Sequence, residues 1–201
     1  SAIKGYSDLI LEANISKEEQ TEYATIISNE SSRLTELSRN MLLISMIDSK
    51  MILPTTDKFN VSEQIRNIIQ FTQLSWEEKN LEFDLELHDE VVFSNKELLY
   101  QVWLNLISNS IKFSPRDSTI KLELSISDNR MNLVISNEGT IMSEDIEKIF
   151  DLFYIPEESR SSNSSGVGLA LVKNIVGKLN GEVDVESSNN KTTFTVNLPV
   201  S

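Results

Sequence analysis

The chain has 201 residues, no cysteine and one histidine, His88, and its 18 basic against 31 acidic residues leave a formal charge of −13. Without cysteine, disulfides, thiol catalysis and cysteine zinc sites are excluded, and a lone histidine cannot build a metal cluster by itself. The acidic balance argues against a nucleic-acid or anionic-membrane surface, which needs a basic footprint. A hydrophobic fraction of 39% suffices for an ordinary core. The longest apolar run, MLLISMI (41–47), falls short of the ~20 residues that span a bilayer, and no signal-peptide pattern opens the chain.

Residues 2–14 read as a short helix and NISKEEQ (14–20) as a polar link. Ile26, Ile27, Leu34, Leu37, Met41, Leu42 and Ile44 then recur at helical spacing, predicting an amphipathic helix of about 25–30 residues. Two such helices cannot hide their stripes alone, so self-association into a bundle is expected, with packing on the chain's own domain as the alternative. LPTTDKFN (53–60) breaks the pattern and reads as a linker between a hairpin at 1–52 and a second unit at 61–201. Capping-box spacings, Asn60 with Glu63 and Ser94 with Glu97, start helices near 61–77 and 95–113.

LEFDLEL (81–87), TIKLELSI (119–126), RMNLVIS (130–136) and TTFTVNL (192–198) alternate as strands with one buried face, and SDNR (127–130) joins two of them as a hairpin. SEDIEKIFDLF (143–153) predicts a short helix capped by Ser143. GLALVKNIVGKLNG (168–181) predicts another, stopped by Asn180–Gly181 and followed by strand GEVDVES. The fold class is α+β: a two-helix hairpin, then a sandwich in which helices cover one face of a mixed sheet. PEESRSSNSSG (156–166) lacks apolar anchors and reads as a loop long enough to act as a lid.

Three stretches carry chemistry. In NLISNSIKF (105–113), Asn105, Asn109 and Lys112 fall within about a 60° arc of one helix face, which Gln101 extends, while Leu99, Trp103, Leu104, Leu106, Ile107 and Ile111 cover the other side. Two amide oxygens one turn apart can ligate a hard cation such as Mg²⁺, and the lysine can neutralise phosphate; a solvated polar stripe is the plainer reading. Gly166 and Gly168 stand where a loop enters a helix, a place suited to phosphate or to an ordinary tight turn. Asn137-Glu138-Gly139 ends a strand before a turn into a helix.

Taken in order, these stretches resemble the sensor histidine kinases of two-component signalling, within the ATPase superfamily shared with gyrase, heat-shock chaperones and mismatch-repair proteins. NLISNSIKFSP resembles the N box (NLLxNAxKFSP), SNEGTI the first glycine box (DxGxGI) and IFDLFY the F box (IFxxFY). SSGVGLALVKNIV resembles the second glycine box (GxGLGLxIVKxIV) and TTFTVNLP the terminal strand (GTxFxxxLP). SAIKGYSDLIL and RLTELSRNMLLISMID resemble the two dimerisation helices.

The resemblance implies a catalytic domain at 61–201 that binds ATP and Mg²⁺. Asn109 would be the main metal ligand with Asn105 beside it, Lys112 would approach the phosphates and Phe113 would pack on the nucleotide. Asn137 and Thr192 would meet adenine. Gly139, Ile141, Gly166, Gly168 and Leu169 would line the pocket, and Arg160, on the lid, would reach the terminal phosphate. It also implies a homodimer through residues 1–50, a response regulator receiver domain as partner, and a cytoplasmic position in a protein held in the membrane only by segments outside this sequence.

Three departures concern the pocket. Asn137 stands where aspartate is usual, the first glycine box is one residue short, and Ser164 replaces the first glycine of the second box. A fourth concerns transfer: the resemblance places the phosphoacceptor histidine a few residues before Ser1, and His88 reads as a strand residue of the catalytic domain. This sequence is therefore expected to bind ATP without phosphorylating itself. The alternative is a non-catalytic relative that serves as a dimerising or regulator-binding module.

Overall fold

A computed structural model describes residues 2–12, 15–49, 57–157 and 164–200. Helix α1 (Ala2–Ile10) packs against α2 (Lys17–Asp48), with the rings of Tyr6 and Tyr23 5.4 Å apart. A capping box starts α2: the Ser16 hydroxyl accepts from the Glu19 amide, and the Glu19 carboxylate accepts from the Ser16 amide. Helix thus begins inside the stretch expected as a link. The far end of α2 docks onto the rest of the chain, with Ile47 buried and Leu43 and Ile44 against the core, and α2 lies beside α7 (Gly168–Lys178). Leu34, Met41 and Leu42 stay exposed on the same helix.

Residues 57–60, expected as the end of a linker, form β1 (Asp57–Asn60), which pairs antiparallel with β3 (Val91–Ser94). The expected helix over 61–77 is two, α3 (Val61–Phe71) and α4 (Gln73–Glu77). They separate at Thr72, whose hydroxyl turns back to the Ile68 and Ile69 carbonyls instead of leaving them to the next turn. Helix α5 (Lys96–Phe113) is capped by Asn95, whose side-chain oxygen accepts from the Leu98 amide at 2.8 Å, and not by Ser94.

The main sheet runs β2 (Glu82–Leu87), β4 (Thr119–Ser127), β5 (Arg130–Glu138), β7 (Lys191–Pro199), β6 (Glu182–Ser188). Only the β2–β4 pairing is parallel, so the sheet is mixed as expected. Asp128 and Asn129, at φ 52° and 57°, turn the β4–β5 hairpin in the left-handed region that Asp and Asn tolerate. Helix α6 (Ser143–Ile146) is only one turn, with Met142 rather than Ser143 before it and no side-chain cap. Helices α3, α5 and α7 cover the inner face, where Trp103, Phe194, Ile65, Leu99, Leu106 and Leu133 are fully buried. The hairpin followed by a helix-covered mixed sheet is the architecture the sequence implied.

Candidate nucleotide site

One face of α5 is spent on the core: Leu98, Leu99, Val102, Trp103, Leu106, Ile107, Ser110 and Ile111 are all buried. What is left, at the same helical spacing, is Asn105, Asn109 and Lys112, and these line a cavity of about 460 Å³. The Asn105 side-chain NH₂ donates to the Gln101 carbonyl at 2.8 Å, which orients its oxygen toward the start of α7. A Cβ added at Gly168 would lie 2.6 Å from that oxygen, so glycine lets α7 begin against Asn105. Lys112 holds its ammonium 5.8 Å from the centre of the Phe113 ring. Burial lowers the Lys112 pKa; the Glu36 carboxylate opposes that shift, and the Lys79 ammonium adds to it.

The opposite wall is made by the ends of β5 and β7. The register sets Asn137 beside Thr192, both buried. The Asn137 NH₂ donates to the Glu138 carbonyl at 2.8 Å, and the Thr192 hydroxyl donates to the Gly139 carbonyl at 2.9 Å. The Ile141 amide donates to the Ser187 hydroxyl, which also meets the Thr192 hydroxyl at 3.1 Å. Gly139 makes the turn out of β5 at φ 130°. Around these polar groups lie Ile141, Met142, Ile149 and Phe194, and Phe150 meets Phe194 edge-on at 6.5 Å. One end of the cavity thus offers amides and a cation, and the other an apolar slot with an amide and a hydroxyl.

Gly166 closes the side between them. At φ +67° its carbonyl accepts from the Phe153 amide, and a Cβ there would stand 2.7 Å from the Phe153 carbonyl carbon. All the expected site residues that the structure describes, namely Asn105, Asn109, Lys112, Phe113, Asn137, Gly139, Ile141, Gly166, Gly168, Leu169 and Thr192, line this one cavity. Arg160 lies outside the described residues. His88 is exposed one residue beyond β2, not within a strand; its carbonyl accepts from the Ser62 hydroxyl, and it does not line the cavity.

Sequence reasoning missed Glu36, which reaches the cavity from α2, and the pair formed by the Tyr154 hydroxyl and the Asp145 carboxylate. The F-box stretch held the second signal, since Tyr154 ends it and Asp145 lies four residues before it. Nothing in the polar face of α2 singled out Glu36. Among the described residues, no group of three or more His, Cys, Asp or Glu side chains could hold a metal. The donor set on α5 is therefore neutral amide oxygen, which suits a hard cation that keeps waters and takes its remaining ligands from phosphate. No helix among the described residues is long and apolar enough to cross a membrane.

Comparison with known proteins bears on this arrangement. Residues 94–201 match the family model "Histidine kinase-, DNA gyrase B-, and HSP90-like ATPase". Heme sensor protein HssS of Staphylococcus epidermidis is 34% identical over 83% of this chain and 36% of its own length. HssS of Staphylococcus aureus is 33% identical over 89% of this chain and 39% of its own length. The chain thus spans somewhat over a third of the curated relatives it matches. Acinetobacter baumannii histidine kinase AdeS shares the fold at a TM-score of 0.81 and 19% identity, covering 99% of this chain and 93% of that one. Histidine kinase ThkA, solved in complex with response regulator protein TrrA, gives a TM-score of 0.79 at 22% identity, covering 99% of this chain and 57% of that one. The chain belongs to the histidine kinase-, DNA gyrase B- and HSP90-like ATPase family.

Proposed function

We propose that this chain binds Mg-ATP and, within a longer protein, presents its γ-phosphate to a histidine outside this sequence, from which it passes to an aspartate of a response regulator. The observation that carries the reading is convergence. Residues from α5, the end of β5, the start of α7 and β7, far apart in sequence, line a single cavity with a cationic end and an apolar end.

Asn109 and Asn105 would hold Mg²⁺ by their side-chain oxygens, and the ion supplies charge neutralisation across the phosphates when bound. Lys112 meets the phosphates from the last turn of α5. Asn137 keeps an acceptor oxygen for the adenine amino group, because its NH₂ is tied to the Glu138 carbonyl. Ile141, Ile149 and Phe194 exclude water from the base. The work is orientation and electrostatic stabilisation around an in-line transfer. The exposed stripe of Leu34, Met41 and Leu42 supports homodimerisation through the hairpin, and the intact protein is proposed to sit at the cytoplasmic face of the membrane.

Calorimetric titration with ATP, first with Mg²⁺ and then with EDTA, tests the reading. Magnesium-dependent binding without phosphate appearing on the chain is expected. No binding at millimolar ATP would overturn it and favour a non-catalytic regulator-binding module.

A further inference from the structure

Among the described residues, the charged side chains that line the cavity are Lys112, Glu36 and Asp145. Asp145 is buried and accepts from the Tyr154 hydroxyl beside the apolar end. Glu36 is different: it is exposed, belongs to the helical hairpin, and reaches the cavity because α2 lies along α7. It lines the cavity together with Asn105, Asn109 and Lys112, and α2 lies beside α7, which begins against Asn105, so it stands at the end where phosphates would lie. One carboxylate there offsets the one described cation.

We infer that Glu36 is a specificity-determining residue, supplied by the hairpin, that sets the site's preference for magnesium-complexed over free nucleoside triphosphate. The inference rests on the nucleotide reading above. A triphosphate entering this end meets Lys112 and Glu36 together, so repulsion by the carboxylate subtracts from attraction by the ammonium. Repulsion grows with the ligand's own charge, and chelation by Mg²⁺ removes about two units of it. Uncomplexed ATP is therefore penalised more than Mg-ATP. Because Glu36 is exposed, the penalty is screened by water and salt and stays moderate.

The test compares the parent chain, Glu36→Gln and Glu22→Gln, each titrated with ATP in Mg²⁺ and in EDTA at fixed low ionic strength. Glu22 lies on the same helix and carries the same charge, but does not line the cavity. For Glu36→Gln, affinity for ATP in EDTA is expected to rise about five-fold more than affinity for Mg-ATP, a charge difference of two acting across roughly 8 Å of water-like medium. The excess should shrink as salt is added, and Glu22→Gln should match the parent. Equal gains in both forms, no gain, or the same excess from Glu22→Gln would overturn the inference. Weaker Mg-ATP binding by Glu36→Gln would also overturn it, making the carboxylate a metal ligand instead. If the parent itself binds no nucleotide, the nucleotide reading fails, which is a separate result from a parent that binds and a variant that does not discriminate.

Discussion

The Lys79 ammonium donates to the backbone carbonyl of Lys112 at 2.6 Å, and to those of Ile111 and Ser114 at 2.9 Å each. A lysine from outside the helix thus closes the C-terminal end of α5, where carbonyls lack helical partners and the dipole is negative. Lys79→Met keeps the apolar stem and removes the charge. It is expected to lower stability by about 1–3 kcal/mol, the cost of leaving part-buried carbonyls unpaired. ATP affinity should fall too, since Lys112 and Phe113 sit on the turn it closes. Urea unfolding at unchanged stability would show that the contact is idle.

Lys112 gives the site a pH dependence. Burial lowers its pKa from the usual 10.5, Glu36 opposes the shift, and Lys79 adds to it. Phosphate needs the charged form, and the free protein loses that proton at a lower pH than an ordinary lysine does. Nucleotide affinity should therefore be full below the lowered pKa and fall as pH rises through it. In Lys112→Arg the guanidinium stays charged, so the fall should disappear. An identical alkaline profile in both proteins would assign the fall to another group.

Gly166 and Gly177 should respond in opposite directions to alanine. At Gly166 the backbone is left-handed and a Cβ would meet Phe153 and Tyr154 backbone atoms within 2.9 Å. The cost is expected to be about 1–3 kcal/mol, with weaker ATP binding as the turn beside the cavity shifts. Gly177 lies exposed within α7 with nothing within 4 Å of a new Cβ. Alanine there should add up to about 1 kcal/mol of stability by helix propensity alone. Thermal unfolding of the two variants separates strain from propensity.

Asn109→Ala should remove most of the gain in ATP affinity that Mg²⁺ gives over EDTA, leaving only the moderate share set by Glu36, while the fold survives, because the side chain is half-buried and faces the cavity. Gly168→Ala should act more mildly on the same step, by pushing on the Asn105 oxygen. Mg-ATP binding by Asn109→Ala as tight as in the parent would remove Asn109 from the metal site.

The site was largely legible because its parts obey local rules. Helical period alone puts Asn105, Asn109 and Lys112 on one stripe of α5, and a glycine at φ +67° leaves its mark in the sequence at Gly166. The short strands β1 and β3 were not legible: DKFN and VVFS are four residues each, too short to show alternation, and pair across about thirty residues of chain. The cap at α5 went to Asn95 because Ser94 is still in β3. Glu36 was invisible for another reason. Periodicity marks which residues of a helix are polar, but not which element the polar face comes to lie against.

The order of the main sheet leaves β2 and β6 as its rims, and each carries a row of exposed acids: Glu82, Asp84 and Glu86 on one, Glu182, Asp184 and Glu186 on the other. Two copies brought rim to rim would set carboxylate against carboxylate along the whole ladder, whichever rims met. Lys121 ties down only Glu86 among them. The sheet is thereby guarded against growth by strand addition at either rim.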